Sequence, residues 1–349
     1  MPYIVKYSLK RLGLLLVTTF IILTITFFLV KMLPDAAMPS TSSQLFAYCE
    51  DQVTLGNYIR SLEDDPTIGE FITTVDTGNV TYYYYRSPLV IQYGNWLTGI
   101  FTRWDWGTST AIQVGNSAMY IIGQKLKPTI LINIITIIIA VPLGFLFGII
   151  AALKKNKAAD NVISTLVMVL ISVPSFVIIS LLMLVLCFNN HLLPSHWPVS
   201  NDATVGEYAL ALVIPVIAGT FSTVAVFTRY TRAELCEVMS SEFLLLARTK
   251  GLSKRQCIVR HALRNSLVPI VPMIIGQFIG ILSGSMILEQ IYGIAGIGRL
   301  FVDCITYKDY NVLLVDMAVF TMIGLAANLL VDLSYGIVDP RIRMGAKNA

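Results

Sequence analysis

Residues 128–153 read PTILINIITIIIAVPLGFLFGIIAAL, without a single Asp, Glu, Lys or Arg. A helix needs about 20 predominantly apolar residues to cross the hydrocarbon core of a bilayer, where its backbone polar groups must be paired internally. The stretch therefore predicts a membrane helix. Outward from it, residues 12–30, 162–188, 208–228 and 265–288 are equally free of charge, and 311–335 is apolar but for Asp316 and Asp332 near its two ends. Six spans are expected, which makes the chain an all-α polytopic membrane protein with six transmembrane helices.

Composition agrees. Of 349 residues 55% are hydrophobic and 13% charged, and mean hydropathy is +0.71; a soluble domain carries about 25% charged residues. A net charge of +4 spread over a mostly apolar chain also excludes a disordered or nucleic-acid-binding protein. Cys49, Cys187, Cys236, Cys257 and Cys304 show no C-x-x-C spacing, so neither a zinc site nor a disulfide framework is indicated. His191, His196 and His261 fall in separate loops without metal-ligand spacing, so no metal is assigned. The first apolar run follows Lys6, Lys10 and Arg11, as in a signal peptide, but exceeds the usual apolar core of about 7 to 15 residues. It is expected to stay as helix one.

Position gives the charges their meaning, because cytoplasmic loops concentrate Lys and Arg near span ends. One set of segments holds Lys6, Lys10 and Arg11, then Lys154, Lys155 and Lys157, then the basic residues between Arg229 and Arg264, and finally Arg341, Arg343 and Lys347. The opposite set carries Glu50, Asp51, Glu63, Asp64, Asp65, Glu70 and Asp76. Both termini are expected in the cytoplasm. Between helices one and two, residues 34–127 include the Tyr82 to Tyr85 run and the aromatic stretch from Trp96 to Trp106. They either form a folded or docking element or place their aromatic rings at the headgroup level.

The cytoplasmic stretch 229–269 reads RYTRAELCEVMSSEFLLLARTKGLSKRQCIVRHALRNSLVP. After Glu242, Phe243, Leu244, Leu245, Leu246 and Ala247 run together, then come Arg248, Lys250 and Gly251. Glycine ends helices because it takes the left-handed conformation without steric cost, so a short helix is predicted here. On it Phe243, Leu246, Ala247 and Lys250 fall at i, i+3, i+4 and i+7, an apolar ridge with a basic end suited to a groove in another protein. The alternative is a helix lying on the lipid surface. Arg229, Arg232, Arg260 and Arg264 either steer that partner or enforce orientation.

This loop resembles the EAA motif of the permease subunits of bacterial and archaeal ABC importers, with Ala247, Gly251 and Pro269 at matching positions and Leu245 and Leu246 where the motif has Glu and its first Ala. ARTKGLS (247–253) and HALRNSLVP (261–269) are similar to the peptide-permease branch, the oligopeptide and dipeptide transporter B-type subunits. YSLKRL and KMLPD around helix one, WDWGTS (104–109), ISVPSF (171–176), LLPSHWP (192–198), IYGIAGIGRLFVDCITYKDY (291–310) and VDPRIR (338–343) extend the likeness.

The resemblance implies the type I importer permease fold, a half-pore paired with a second, paralogous permease subunit. The pair would sit on two ATP-binding cassette ATPases and receive peptide from an extracellular binding protein, in a bacterial or archaeal cytoplasmic membrane. ATP and magnesium would be used by the ATPases; this chain has no G-x-x-x-x-G-K-[ST] phosphate loop with which to cradle ATP. Relatives with similar words import nickel complexes, glutathione or haem instead. In this frame residues 1–33 are the N-terminus and helix one, 34–116 an extracytoplasmic loop region, 117–335 the permease domain with its coupling loop 229–264, and 336–349 a cytoplasmic tail. Phe243, Leu244, Leu246, Ala247, Arg248, Lys250 and Gly251 are the expected ATPase-coupling residues. Trp104, Asp105, Glu289, Tyr292 and Asp316 are candidates for the gate or for contact with the binding protein, with Asp316 also open to a reading as a satisfied or water-exposed carboxylate.

Two other classes fit less well. An ion-driven secondary transporter predicts ionisable residues near the bilayer middle, whereas Asp316 and Asp332 lie near span ends. An intramembrane enzyme needs a nucleophile facing a base at depth, and no span contains a histidine. No catalytic residue is assigned. Gly144 with Gly148, Gly276 with Gly280, and Gly280 with Gly284 are small-xxx-small pairs, which serve either a subunit interface or internal packing. Pro142, Pro174, Pro215, Pro269 and Pro272 allow bends.

Overall fold

The computed structural model describes residues 3–34, 38–78, 80–198, 203–282 and 286–338, with side chains described in all of these except 3–8, 278–282 and 335–338. Asp35, Gly284 and most of the VDPRIR tail lie outside the described residues, as does the side-chain environment of position 280. In chain order the elements are α1 (Tyr3–Lys31), α2 (Ser42–Thr54), β1 (Tyr58–Ser61), β2 (Glu70–Asp76), β3 (Thr81–Arg86), α3 (Leu89–Arg103) and α4 (Ala118–Leu153). There follow α5 (Ala158–Ser172), α6 (Ser175–Leu182) with a π-helical continuation Met183–Asn189, α7 (Val205–Met239), α8 (Glu242–Thr249) and α9 (Lys254–Gln256). A second π-turn, Cys257–Ala262, leads into α10 (Leu263–Leu282), α11 (Met286–Tyr292), α12 (Ile297–Thr306) and α13 (Tyr310–Val338).

Five helices among the described residues are long and apolar enough to span a membrane, and α5 with α6 makes a sixth span if the bent pair is counted as one. The span expected over 162–188 is built as two helices meeting at 94°, a bend at the expected Pro174. Pro174 is the cause: it cannot donate a backbone hydrogen bond and drives the preceding residue out of the helical region. Val173 accordingly sits at φ −90°, ψ 117°, and the new helix starts behind the proline. α4 begins at Ala118 rather than at Pro128, and α7 continues past Thr228 to Met239. Its start is fixed by a capping box in which Thr204 and Glu207 each accept from the other's backbone amide, satisfying donors that every helix start leaves unpaired.

The chain divides into two compact units. One comprises Thr19–Gln124 and Phe301–Val319. The chain is mostly helical, as expected, and this unit adds a three-stranded antiparallel sheet in the spatial order β1, β3, β2. Successive strand residues face opposite sides, so the tyrosine run serves two surfaces. Tyr84, fully buried, packs with Cys49, Tyr58 and Val75 under α2 and donates to Glu50. Tyr85, also fully buried, stacks on Phe71 and donates to Asp64. Tyr84 and Tyr85 therefore build a small domain core, and the headgroup reading does not hold for these two residues.

The other unit comprises Met1–Thr18, Lys125–Leu300 and Phe320–Ala349. Its packing depends on close backbone approach. A Cβ at Gly144 would fall 2.5 Å from Phe227 Cβ, and one at Gly148 would fall 2.5 Å from Thr231 Cβ and 2.9 Å from Thr228 O. This small-xxx-small pair lets α4 and α7 approach within one chain, so the subunit-interface reading is corrected for it. Ile178, Ile179, Met183, Ala211, Ile214 and Ala218 continue the apolar core between the bent pair and α7. Arg11 and Asp332, 2.8 Å apart, pair α1 with α13 near one end of this unit.

Candidate functional site

α8 starts after Ser241 in extended conformation and carries Glu242 in its first turn and Arg248 in its last, each favourable to the helix dipole. It stops at the expected glycine. Gly251 adopts φ +89°, its amide donates to Arg248 O and the Leu252 amide donates to Ala247 O, the paired arrangement that satisfies terminal carbonyls when a residue turns left-handed. Leu252 then packs on the cluster beneath. Ser253 and Gln256 form a capping box that starts the next helical segment at once.

The two faces of α8 differ in what they meet. Leu244 and Ala247 are buried with Ala152 at the end of α4, Leu235 on α7, and Cys257 and Ala262 in the π-turn. Phe243, Leu245 and Leu246 are exposed, as are Arg248 and Lys250. The expected coupling residues are corrected at two positions: Leu244 and Ala247 face the chain's own core, and Leu245, exposed, joins Phe243 and Leu246 on the uncovered surface. A period of 3.6 residues cannot tell which side of a short amphipathic helix the rest of the chain covers.

Beneath α8, α7 is clamped to α5. Arg232 donates from Nε to Asp160 Oδ1 at 2.6 Å and from Nη2 to Oδ2 at 2.8 Å. Asp160 is buried in the first turn of α5 and also accepts from the Asn156 amide at 2.8 Å, where Asn156 takes φ +63°. A two-pronged guanidinium–carboxylate bond fixes orientation as well as distance. Arg232 is therefore a fastening residue between helices. Asp160 did not stand out in the sequence; an acid directly after the basic turn Lys154 to Lys157 was the signal available.

The remaining candidates lie elsewhere. In the unit that includes Lys125–Leu300, Glu289 is buried, accepting from Thr129 Oγ1 at 2.7 Å and from the amides of Arg299 and Gly298 at the start of α12. Burial pushes its pKa up, while those three hydrogen bonds oppose the rise. Gly296 passes so close to the carboxylate that a Cβ there would overlap Glu289 and Thr129, which accounts for the second glycine of IYGIAGIG. Tyr292 is fully buried, donates to Pro194 O at 2.8 Å and accepts at its carbonyl from the Trp197 amide. The words IYGIAGIG and LLPSHWP are thus two sides of one packed layer. Glu289 and Tyr292, expected at the gate or in contact with a binding protein, are both buried in this structure.

In the unit of Thr19–Gln124 and Phe301–Val319, Trp104 is exposed and stacks edge-on against the buried Trp106, whose ring meets Trp96. Asp105 accepts from the Gly107 amide at 2.9 Å and holds the turn. Asp316 is fully buried, which removes both direct docking and the water-exposed reading. Burial, reinforced by Asp316, Asp309 and Asp303, pushes up the pKa of the neighbouring Cys304 thiol. A carboxylate that sequence reasoning passed over is Asp309. It is fully buried and accepts from Ser109 Oγ and from the amides of Thr110, Ala111 and Ile112. Its signal was the pairing of the words WDWGTS and YKDY, which residue types alone do not reveal.

Comparisons with known proteins give a consistent result. The family model described as binding-protein-dependent transport system inner membrane component matches residues 144–344. The chain is 36% identical over 340 residues to the dipeptide transport system permease protein DppB of Lactococcus lactis, covering 97% of this chain and 100% of that protein. It is 29% identical over 338 residues to the oligopeptide transport system permease protein OppB of Escherichia coli, covering 97% and 99%. A solved structure of the MetNI methionine ABC transporter in inward facing conformations shares the fold, with TM-score 0.50 and 13% identity over 63% of this chain and 97% of that chain.

Proposed function

The chain belongs to the binding-protein-dependent transport system inner membrane components, and from that premise we propose that it is one permease subunit of an ATP-driven importer of dipeptides or oligopeptides. The names of its relatives, a dipeptide and an oligopeptide transport permease, support the substrate class. It works in the cytoplasmic membrane with both termini and α8 inside the cell. A second, paralogous permease completes the pore, two ATPases bind and hydrolyse ATP with magnesium, and an extracellular binding protein delivers the peptide. This chain performs no bond chemistry.

The observation that carries the proposal is the two-faced α8. Its inner side, Leu244 and Ala247, is packed on α4, α7 and the π-turn, so α8 moves with the ends of those helices. Its outer side presents Phe243, Leu245 and Leu246 to a partner. α7 is 35 residues long, about 50 Å at 1.5 Å per residue, and the Asp160–Arg232 clamp joins it to α5. A displacement applied at α8 is therefore carried through the bilayer, giving alternating access. ATP drives the cycle because the ATPases bind it with different affinity in their open and closed states; equal affinity would shift nothing.

The test is reconstitution with the genomically neighbouring permease, ATPases and binding protein, measuring ATP hydrolysis against di- and oligopeptides, nickel complexes, glutathione and haem. Stimulation by peptides is expected. Stimulation by one of the others alone would overturn the substrate and leave the permease role standing. An unstimulated complex that nevertheless moves peptide down an ion gradient would overturn the role itself.

A further inference from the structure

α3 has an apolar side that none of the described residues covers, and its position along α1 says what does. The helix reads LVIQYGNWLTGIFTR from Leu89 to Arg103. One side packs on the last turns of α1: Tyr93 lies 5.3 Å from both Phe27 and Phe28, and Trp96 lies 5.1 Å from Phe27. The Tyr93 and Thr24 hydroxyls are 2.6 Å apart. Thr24 lies inside the apolar span of α1, which ends at Lys31. Seven residues at 1.5 Å each put this contact about 10 Å below the end of that span, so α3 sits at a depth that the bilayer occupies.

At 100° per residue, Val90, Leu97 and Phe101 form a stripe directly beside the α1-packing side. Val90 is 74% and Phe101 75% exposed. The stripe continues the exposed apolar surface of α1, where Ile21, Ile25 and Leu29 are uncovered. On the opposite sector Gln92, Asn95, Thr98 and Arg103 line a mixed cleft of about 290 Å³ together with Lys31, Asn57, Phe27 and Trp96, and Ile91, 51% exposed, stands between Thr98 and Asn95 on that side. Trp104, in left-handed conformation and 67% exposed, closes the helix. An apolar stripe, a side carrying polar groups and a terminal tryptophan beside a cation are the features of a helix lying in a membrane interface.

We propose that α3 lies within the bilayer leaflet around the Lys31 end of α1, with Val90, Leu97 and Phe101 among acyl chains and Arg103 and Trp104 at the headgroups. The occupant of its uncovered side is lipid, by continuity with the lipid-facing surface of α1. The proposal rests on α1 crossing the membrane and is independent of the transported substrate.

The test is spin labelling of Val90→Cys, Phe101→Cys and Thr98→Cys variants of the full transporter in phosphatidylcholine–phosphatidylglycerol nanodiscs, with the unsubstituted chain as background. Collision with oxygen, which concentrates in lipid, is compared with collision with a water-soluble nickel chelate. Oxygen collisions are expected to dominate at 90 and 101, and nickel collisions at 98. Nickel dominance at 90 and 101 would overturn the proposal, and so would labels there that are immobilised and reached by neither reagent, the signature of a protein partner. A Phe101→Trp variant quenched by brominated acyl chains provides a second reading if labelling disturbs the fold; absence of quenching there would equally overturn it.

Discussion

Ser109 and Asp309 lie 200 residues apart in sequence and are joined by a hydrogen bond in which the Ser109 hydroxyl donates to Asp309 Oδ2 at 2.5 Å. The bond is the centre of a cradle. Three successive backbone amides, of Thr110, Ala111 and Ile112, also point at the carboxylate, and it is shielded from water.

Asp309→Ala would leave those amides and a hydroxyl facing a void, and each unsatisfied buried donor costs about 1–3 kcal/mol. A loss of about 3 kcal/mol is expected for the unit that holds the cradle, read as a lower unfolding temperature and faster proteolysis between residues 104 and 117. Ser109→Ala removes one donor and should cost about 1 kcal/mol. Equal stability of wild type and Asp309→Ala would refute the cradle's structural role.

The Asp160–Arg232 clamp predicts that lysine is a poor substitute for arginine, because an ammonium is a point charge that cannot make the two-pronged contact. Arg232→Lys is expected to lie nearer to Arg232→Ala than to wild type in thermal stability. The alanine variant should lose about 2–4 kcal/mol, since it strands a buried carboxylate. Asp160→Asn combined with Arg232→Ala should recover part of that loss by removing the stranded charge. An additive double variant would refute the coupling.

The two faces of α8 separate partner binding from folding. Leu246→Glu changes an exposed position and should leave the chain's expression and unfolding temperature unchanged while ATPase co-purification and uptake fall at least tenfold. Ala247→Glu puts a charge into the chain's own core and should destabilise the permease itself, as burying an unpaired charge does. If both variants unfolded alike, or Leu246→Glu kept its ATPases, the assignment of the outer face would fail.

Cys49 gives a pH prediction. Burial first, then the adjacent Glu50, pushes its thiol up from 9.0 to about 11. A group whose pKa is raised by folding holds its proton more tightly in the native state. Its contribution is therefore full below about 9 and lost as pH rises through about 11. Tyr84, raised by burial and by its hydrogen bond to Glu50, titrates higher still. Alkylation of Cys49 should be slow at pH 8 and accelerate only above pH 10, and Cys49→Ser should lessen the loss of stability over that interval. Rapid alkylation at pH 8 would contradict the burial.

Much of the architecture was legible in one dimension. The run from Pro128 to Leu153 announces a span because lipid demands apolar side chains all round, a property that needs no knowledge of neighbours. Gly251 likewise announces the end of α8, since a left-handed residue is a local event. Pro174 marked a possible bend; the angle of 94° is read only from the structure.

The sequence by itself determined the membrane class, the number of apolar segments, the family likeness and the existence of α8, all of which depend on residue type and short spacing. Only the tertiary structure decided that Ala247 faces inward, that the tyrosine run is the core of a sheet, and that Glu289 and Asp309 are caged while Trp104 stays exposed. Those outcomes depend on contacts between segments as much as 200 residues apart. A carboxylate reads the same in sequence whether it meets water or three backbone amides, and the difference lies wholly in what the fold places around it.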